Sequence, residues 1–432
     1  MSARVILPTI LLLAAAVCAA GRAPPSTQGD ADPVVRVALG CIDEGDYGPL
    51  RRMLEPKIAE ALHDLDRIKP EEVVRLASFL EFSGYFARIE RIEDREREAL
   101  RWLARRPRIL HTLMMTVSGA DPPDRVLKVL SALIADQGER VDQLPDLASA
   151  VCVVWDELGR ASETDEFVNT QAAVLWFRYF TNTRGRLRFD PADLPASIAI
   201  HLVDVRASPA EVVWAWSRYS HRADLGSAYF DVPYDTAALY HGVEKRIGAQ
   251  AYTLPNLVKY GGTCGDQAYF AAQVCKAMGV PSAVAAGQGG SGDVAHAWVG
   301  YLRVVNRQAA WDFSHGRYES HKYWRGEIID PQTGRPLSES DVAMLAELQF
   351  AAPADRMLSR ALWKLRGHVD ADRQADLYAR AIALSPGNRE AWLSLADLGA
   401  ERRLDARQRD EVMRAAARYA LRRYGDRSAE HT

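Results

Sequence analysis

A cysteine at position 264 lies directly after a glycine-rich turn and at the start of an apolar helical pattern. The turn reads Gly261-Gly262-Thr263-Cys264-Gly265-Asp266, and the helical pattern continues to Met278, just before Gly279. The positive end of a helix dipole stabilises an anion, so a thiol at this position loses its proton more readily. The two glycines allow the chain to turn sharply into the helix. This arrangement predicts a nucleophilic cysteine.

A histidine and an aspartate follow on two successive predicted strands. His296 begins a predicted strand that runs to Val305, and Asp312 lies in the next one, which covers residues 309 to 313. An imidazole can hold the thiolate as an ion pair and later protonate a leaving amine. A carboxylate beside the imidazole would orient it. A tight return between the strands would bring His296 and Asp312 side by side; Asp330, in a predicted turn, is the alternative orienting carboxylate.

The oxyanion of an acyl-transfer reaction also needs hydrogen-bond donors. The backbone N–H of Cys264 is the first candidate, and Gly265 has no side chain to block an approaching carbonyl. Trp298 is the candidate residue of the cleft wall and is expected to pack beside the histidine.

The same region offers no pattern that is typical of a metal site. His315 and His321 lie in a predicted loop, and their spacing from His296 and Cys264 lacks a recognisable pair of zinc ligands. We therefore predict no metal and no cofactor. We expect both loop histidines to be solvated.

Taken in order, these motifs resemble the transglutaminase-like superfamily, which has a papain-like cysteine fold. The matching parts are Gly-x-Cys-x-x-x-Ala from Gly262, Met278-Gly279-Val280-Pro281, His296-Ala297-Trp298-Val299 and Trp311-Asp312. The resemblance covers about residues 252 to 345. It implies that Cys264 is the nucleophile, His296 the base and Asp312 the orienting residue. Papain-like enzymes often supply a side-chain oxyanion donor a turn before the cysteine, and Asn256 and Tyr260 are the candidates for it in this sequence.

The superfamily includes protein-crosslinking enzymes, microbial cysteine proteases, peptide N-glycanases and inactive members. The resemblance therefore implies acyl transfer from an amide through a thioester at Cys264, with a peptide or protein as substrate. We expect hydrolysis, as in a protease or amidase, ahead of crosslinking. The alternative is a non-catalytic scaffold that binds a peptide or protein through the cleft and the helical repeat region.

The first residues predict export. Arg4 precedes an almost continuous apolar run from Val5 to Val17, and small residues follow, so residues 1–20 form a predicted signal peptide and 21–33 a disordered leader. The predicted location is the periplasm, the cell envelope or the exterior. Cys18 raises lipid attachment as an alternative, which Val17 disfavours. No later segment is long and apolar enough to predict a transmembrane helix.

The remaining chain divides into three predicted parts, and the fold class is mostly α with an embedded α+β domain. Residues 34–245 form a helical region, although residues 198 to 205 alternate like a strand. Residues 246–350 form the transglutaminase-like core: one helix, then an antiparallel meander. Residues 353–426 form a helical segment that resembles a tetratricopeptide repeat, and a single repeat needs a partner surface, on this chain or on another protein. The net charge of −3 gives no case for nucleic-acid binding.

Overall fold

A computed structural model describes most of the chain. The described residues are 32–65, 67–156, 166–288, 295–305, 308–317, 325–346, 351–370 and 373–400. The predicted signal peptide, Cys18, the leader before Asp32, His321 and the end of the repeat-like segment lie outside them. Within them the protein is mostly helical with a small antiparallel sheet, which confirms the coarse fold class.

The helices of the first part begin mostly at prolines, which suit the first turn because its N–H groups have no partner in the helix. Asp32 caps the first helix by accepting a hydrogen bond from the backbone N–H of Val34 at 2.8 Å. The helices are α1 Pro33–Glu44, α2 Gly48–Ala61, α3 Pro70–Phe86, α4 Asp94–Ala104, α5 Pro107–Thr116, α6 Pro123–Gln137, α7 Arg140–Gln143 and α8 Pro145–Val154.

Further helices lead to the cysteine. They are α9 Glu166–Thr183, α10 Ala196–Val203, α11 Pro209–Tyr219, α12 Thr236–His241, α13 Leu254–Tyr260 and α14 Cys264–Ala277. The strand predicted over residues 198 to 205 is wrong, because residues 198 to 203 belong to α10 and no strand forms there. Every residue of α10 is buried, so its apolar residues need not follow one helical face, and their alternation imitates a strand.

The sheet follows α14 along the chain. Its strands are β1 Ser282–Gln288, β2 Ala295–Val305, β3 Gln308–Asp312, β4 Arg325–Ile329 and β5 Pro336–Ser338. Their order across the sheet is β3-β2-β1-β4-β5, and all neighbouring strands are antiparallel. In the register of the sheet His296 lies opposite Gly287 of β1, and Asp312 lies opposite Tyr301 of β2. This register decides which residues can reach the cysteine.

The sheet lies between two helical layers. Helix α14 packs on β1 and β2. The helix after the last strand, α15 Glu339–Ala346, closes a smaller apolar cluster on the other side, which includes Ala285, Trp298 and Ile328. Trp298 is fully buried there. The two layers fix β2 at the level of the helix start that carries Cys264.

The chain continues into α16 Pro353–Lys364, a 3-10 turn Leu365–His368, α17 Gln374–Leu384 and α18 Arg389–Ala400. One continuous hydrophobic core extends from Val34 in α1 to Leu398 in α18. The three predicted parts therefore share a core among the described residues. None of the described helices combines the length and the apolar character that a membrane crossing requires.

Candidate active site

The turn before Cys264 depends on its two glycines. Gly261 has φ +80°, which L side chains rarely adopt, and a Cβ there would collide with the carbonyl oxygen of Pro233. Gly262 donates its N–H to that carbonyl at 3.0 Å and accepts from the N–H of Asp235 at 2.8 Å. The turn is thereby fixed to the extended segment around Tyr234.

The start of α14 is capped from both sides. Thr263 is the N-cap, and its side chain accepts from the backbone N–H of Asp266. In return, the Thr263 N–H donates to the Asp266 carboxylate at 2.7 Å. The Asp266 carboxylate also accepts from Lys245 at 2.9 Å and from the Tyr252 hydroxyl at 2.9 Å. Burial alone would raise the pKa of Asp266, but these hydrogen bonds outweigh it and the pKa lies below its ordinary value. Lys245 balances the Asp266 charge, which would otherwise disfavour a thiolate nearby.

The structure brings Cys264 and His296 together. The thiol and the imidazole share a hydrogen bond, and the backbone N–H groups of Ala297 and Gly265 also point at the sulfur. Burial alone would raise the pKa of the Cys264 thiol. The hydrogen bonds and the charge of His296 outweigh burial, so the pKa lies below its ordinary value. The sulfur thus occupies a partly exposed site that stabilises its anion.

The imidazole of His296 is held by a main-chain carbonyl. Its Nε2 lies 2.6 Å from the carbonyl oxygen of Gly316, and the side chain is 7% exposed. Burial alone would lower the pKa of His296, but the contacts with Cys264 and Gly316 raise it above its ordinary value. With Nε2 donating to Gly316, Nδ1 is left to face the thiol.

Tyr229 holds this carbonyl in place. Gly316 has φ +81°, and a Cβ there would collide with the ring of Tyr229. The Tyr229 hydroxyl donates to the carbonyl of Ala297, next to His296, at 3.0 Å. One fully buried ring therefore positions both sides of the contact between Gly316 and His296.

The expected contact between Asp312 and His296 is not formed. Asp312 pairs with Arg303 and accepts from the N–H of Ser314 at 2.8 Å. Its strand partner Tyr301 lies five positions along β2 from His296, which is about 17 Å at the usual strand rise. An odd number of positions also places the two side chains on opposite faces of the sheet. The prediction that Asp312 orients the imidazole is therefore wrong within the described structure.

Of the other predicted site residues, Gly265 borders open space, whereas the side chains of Asn256 and Tyr260 already have contacts. A Cβ added at Gly265 would meet nothing within 4 Å, so the space beside the cysteine is open. The Asn256 side-chain amide donates to the Ala251 carbonyl at 2.9 Å. Tyr260 packs against the core and under Lys259, whose Nζ lies 4.8 Å from the ring centroid.

The two remaining candidates have structural partners. Trp298 lies 6.0 Å from the His296 ring and donates its indole N–H to Glu339 at 2.8 Å, so it packs beside the histidine as predicted. Asp330 accepts from the Thr333 hydroxyl at 2.7 Å and from the N–H of Gln332 at 2.9 Å. These bonds form a turn and give Asp330 no role at His296.

We expected His315 to be solvated, but it is not. Its side chain is 17% exposed, and its Nε2 lies 2.8 Å from the Asp224 carboxylate. Its carbonyl accepts from the N–H of Val299 at 3.2 Å. His315 therefore fixes the segment that carries Gly316. Sequence reasoning missed both Gly316 and Tyr229, since a backbone carbonyl has no side-chain signature.

The other described cysteines lack the features of Cys264. Cys41, Cys152 and Cys275 are free and buried, and burial raises the pKa of each thiol. Among the described residues, Cys264 alone combines partial exposure with a lowered pKa. The part of the chain that the structure describes also contains no group of three or more His, Cys, Asp or Glu side chains arranged to hold a metal ion.

Comparison with known proteins gives no match. No protein-family model, curated protein or solved structure is significantly similar to the chain.

Proposed function

We propose that this protein is an exported transglutaminase-like cysteine enzyme that transfers an acyl group from an amide through a thioester at Cys264. The observation that carries the proposal is the hydrogen-bonded pair of Cys264 and His296 at the start of α14, with the pKa of the thiol lowered and that of the imidazole raised. These opposite shifts favour the thiolate–imidazolium pair that such a reaction requires.

The first half of the reaction forms the thioester. The Cys264 thiolate attacks the carbonyl carbon of the amide, and the oxygen takes up the negative charge. The C–N bond then breaks, and the amine leaves with the proton that the His296 imidazolium donates. The backbone N–H of Cys264 is the candidate oxyanion donor, since the N–H groups of Gly265 and Asp266 contact the sulfur and the Thr263 side chain. The open space at Gly265 leaves room for the carbonyl.

The second half returns the enzyme to its starting state. Neutral His296 accepts a proton from the incoming water or amine, whose lone pair attacks the thioester carbon. The C–S bond breaks and the thiolate is restored. Water gives hydrolysis, as in a protease or amidase, and a lysine amine gives a crosslink. We place hydrolysis first on the resemblance to microbial members of the superfamily.

A labelled primary amine separates the two outcomes. The protein is incubated with a peptide or protein mixture and the labelled amine, and the products are analysed by mass spectrometry. Hydrolysis yields shortened or deamidated chains without label, whereas transfer yields chains that carry the amine. Cys264→Ser is the control and should abolish both products. If wild-type protein yields neither product and no acyl adduct on Cys264, the result favours a peptide-binding scaffold and contradicts the enzyme.

A further inference from the structure

A cavity lies where the three parts of the chain meet. Its volume is about 640 Å³, and it is bounded by α2 and α3, by the end of α5 with the residues up to 119, by the turn after β4, and by α16 with the 3-10 turn that follows it. This volume is in the range of small-molecule sites. None of the residues that line the cavity belongs to the candidate active site.

The lining of the cavity is rich in guanidinium groups that have no carboxylate partner. Arg51 donates to the hydroxyl and carbonyl of Ser83, Arg360 to the Met115 carbonyl, and Arg366 to the Trp363 carbonyl. Arg88 lies over the Tyr85 ring at 5.8 Å. Among the described residues, none of these four arginines forms a salt bridge.

The carboxylates of the lining do not balance these charges. Glu81 is paired with Lys364 at 3.1 Å. Asp330 accepts hydrogen bonds from neutral groups of its own turn, so it counts with Glu55 and Glu390 among the carboxylates without a cationic partner. Four guanidinium groups against these three carboxylates leave an excess of one positive charge, which favours an anionic ligand.

The cations on α16 are also crowded. Arg360 and Lys364 are four residues apart, a spacing at which like charges destabilise a helix. The Lys364 side chain is only 11% exposed. Burial lowers the pKa of Lys364, Glu81 opposes this, and the charges of Arg360 and Arg366 lower it further. An anion in the cavity would relieve this repulsion.

We propose that the cavity binds a small organic anion, through a phosphate or carboxylate group held by Arg88, Arg360 and Arg366. Arginine suits this role because its planar guanidinium group can donate two parallel hydrogen bonds to a phosphate or to a carboxylate. The apolar lining, which includes Leu80 and Trp363, offers contact to the organic part of such a ligand. Because the ligand would bridge the first and the third parts of the chain, its binding should stabilise the folded state.

Inorganic phosphate and succinate are the probes. The full chain is titrated with each by calorimetry, and thermal unfolding is followed at constant ionic strength with chloride as the reference. We expect saturable binding of at least one probe and a higher unfolding midpoint; the stronger probe identifies the oxyanion class. Arg366→Gln should weaken binding roughly tenfold or more, since a charge-assisted hydrogen bond contributes about 1.5–3 kcal/mol.

Matched variants keep the test decisive. Arg218 lies over Trp214 at 5.8 Å, much as Arg366 lies over Trp363 at 4.0 Å, but it is outside the cavity. Arg218→Gln should bind the probes like wild type.

Arg88 is exposed, so Arg88→Gln tests the site without disturbing the core. The proposal is overturned if neither probe binds, or if Arg88→Gln and Arg366→Gln bind like wild type. Cys264→Ser should bind normally, so failure here is separable from failure of the proposed enzyme.

Discussion

His296 is oriented by a neutral main-chain oxygen rather than by a carboxylate. A carbonyl contributes no negative charge, so the favourable electrostatic environment of the imidazolium comes mainly from the Cys264 thiolate itself. The position of the carbonyl depends on a glycine in a left-handed conformation and on the ring of Tyr229. The orienting group is therefore specified by packing, and not by the chemistry of a third side chain.

Replacement of Asp312 tests this arrangement. Asp312→Asn should leave the alkylation rate of Cys264 within about twofold of wild type, as expected for a change that makes no contact with the reacting groups. If Asp312 oriented the imidazole, the same change would lower catalysis by up to ~10⁴-fold. The rates are measured by mass spectrometry, with His296→Ala as the positive control. A loss in Asp312→Asn as large as that in His296→Ala would contradict the structure.

The residues at the site differ in how far the sequence could predict them. Cys264 and His296 are recognisable because a glycine turn before a helix and a histidine at a strand start are local patterns. Asp312 could not be placed, because its neighbours depend on the register between β2 and β3. A shift of one residue in register exchanges the faces of a strand. Sequence spacing alone does not contain that register.

At the scale of elements, the turn into α14 and the start of the helix make opposite demands on glycine. Gly261 is required by its φ of +80° and by the nearby Pro233 carbonyl, whereas Gly265 lies in the first turn of the helix with open space around its Cα. The sequence pattern does not distinguish these two roles. The backbone geometry does.

Two alanine variants separate the roles. Gly261→Ala should destabilise the protein by about 1–3 kcal/mol, since it places a side chain in a strained conformation. Gly265→Ala should be neutral or stabilising by up to about 1 kcal/mol, because alanine is the better helix former. Urea unfolding measures both changes. Equal effects of the two substitutions would show that the turn does not have the described geometry.

The elements were predictable to different degrees for physical reasons. The helix from Cys264, the helix Pro209–Tyr219 and the strand from His296 have clear start signals: a cap, a proline or a change of period. Helix α10 has no exposed face, because all of its residues are buried, so its apolar residues are not confined to one side of the helix. Burial on every side removes the signal on which such predictions depend.

At the scale of the whole molecule, the shared core implies that the parts unfold together. The buried cysteines provide probes of separate regions: Cys41 and Cys152 lie in the first helical part, and Cys275 lies in α14. Pulsed alkylation in increasing urea should expose all three thiols at one midpoint. Separate midpoints for Cys275 and the other two would show that the core is not continuous. Cys264, which is partly exposed in the folded state, serves as the control.

The pH dependence of Cys264 alkylation by iodoacetamide tests the central claim most directly. A thiol whose pKa is lowered remains a thiolate as the pH falls below the ordinary value of about 8.5, and reactivity is lost only below the lowered pKa. His296→Ala removes the imidazole that counteracts the rise in thiol pKa caused by burial. The pH profile of alkylation should therefore move to higher pH. We expect wild-type Cys264 to react below pH 8.5 and the variant to require more alkaline solution. Profiles that coincide, with midpoints at or above the ordinary value, would contradict an activated thiolate at this site.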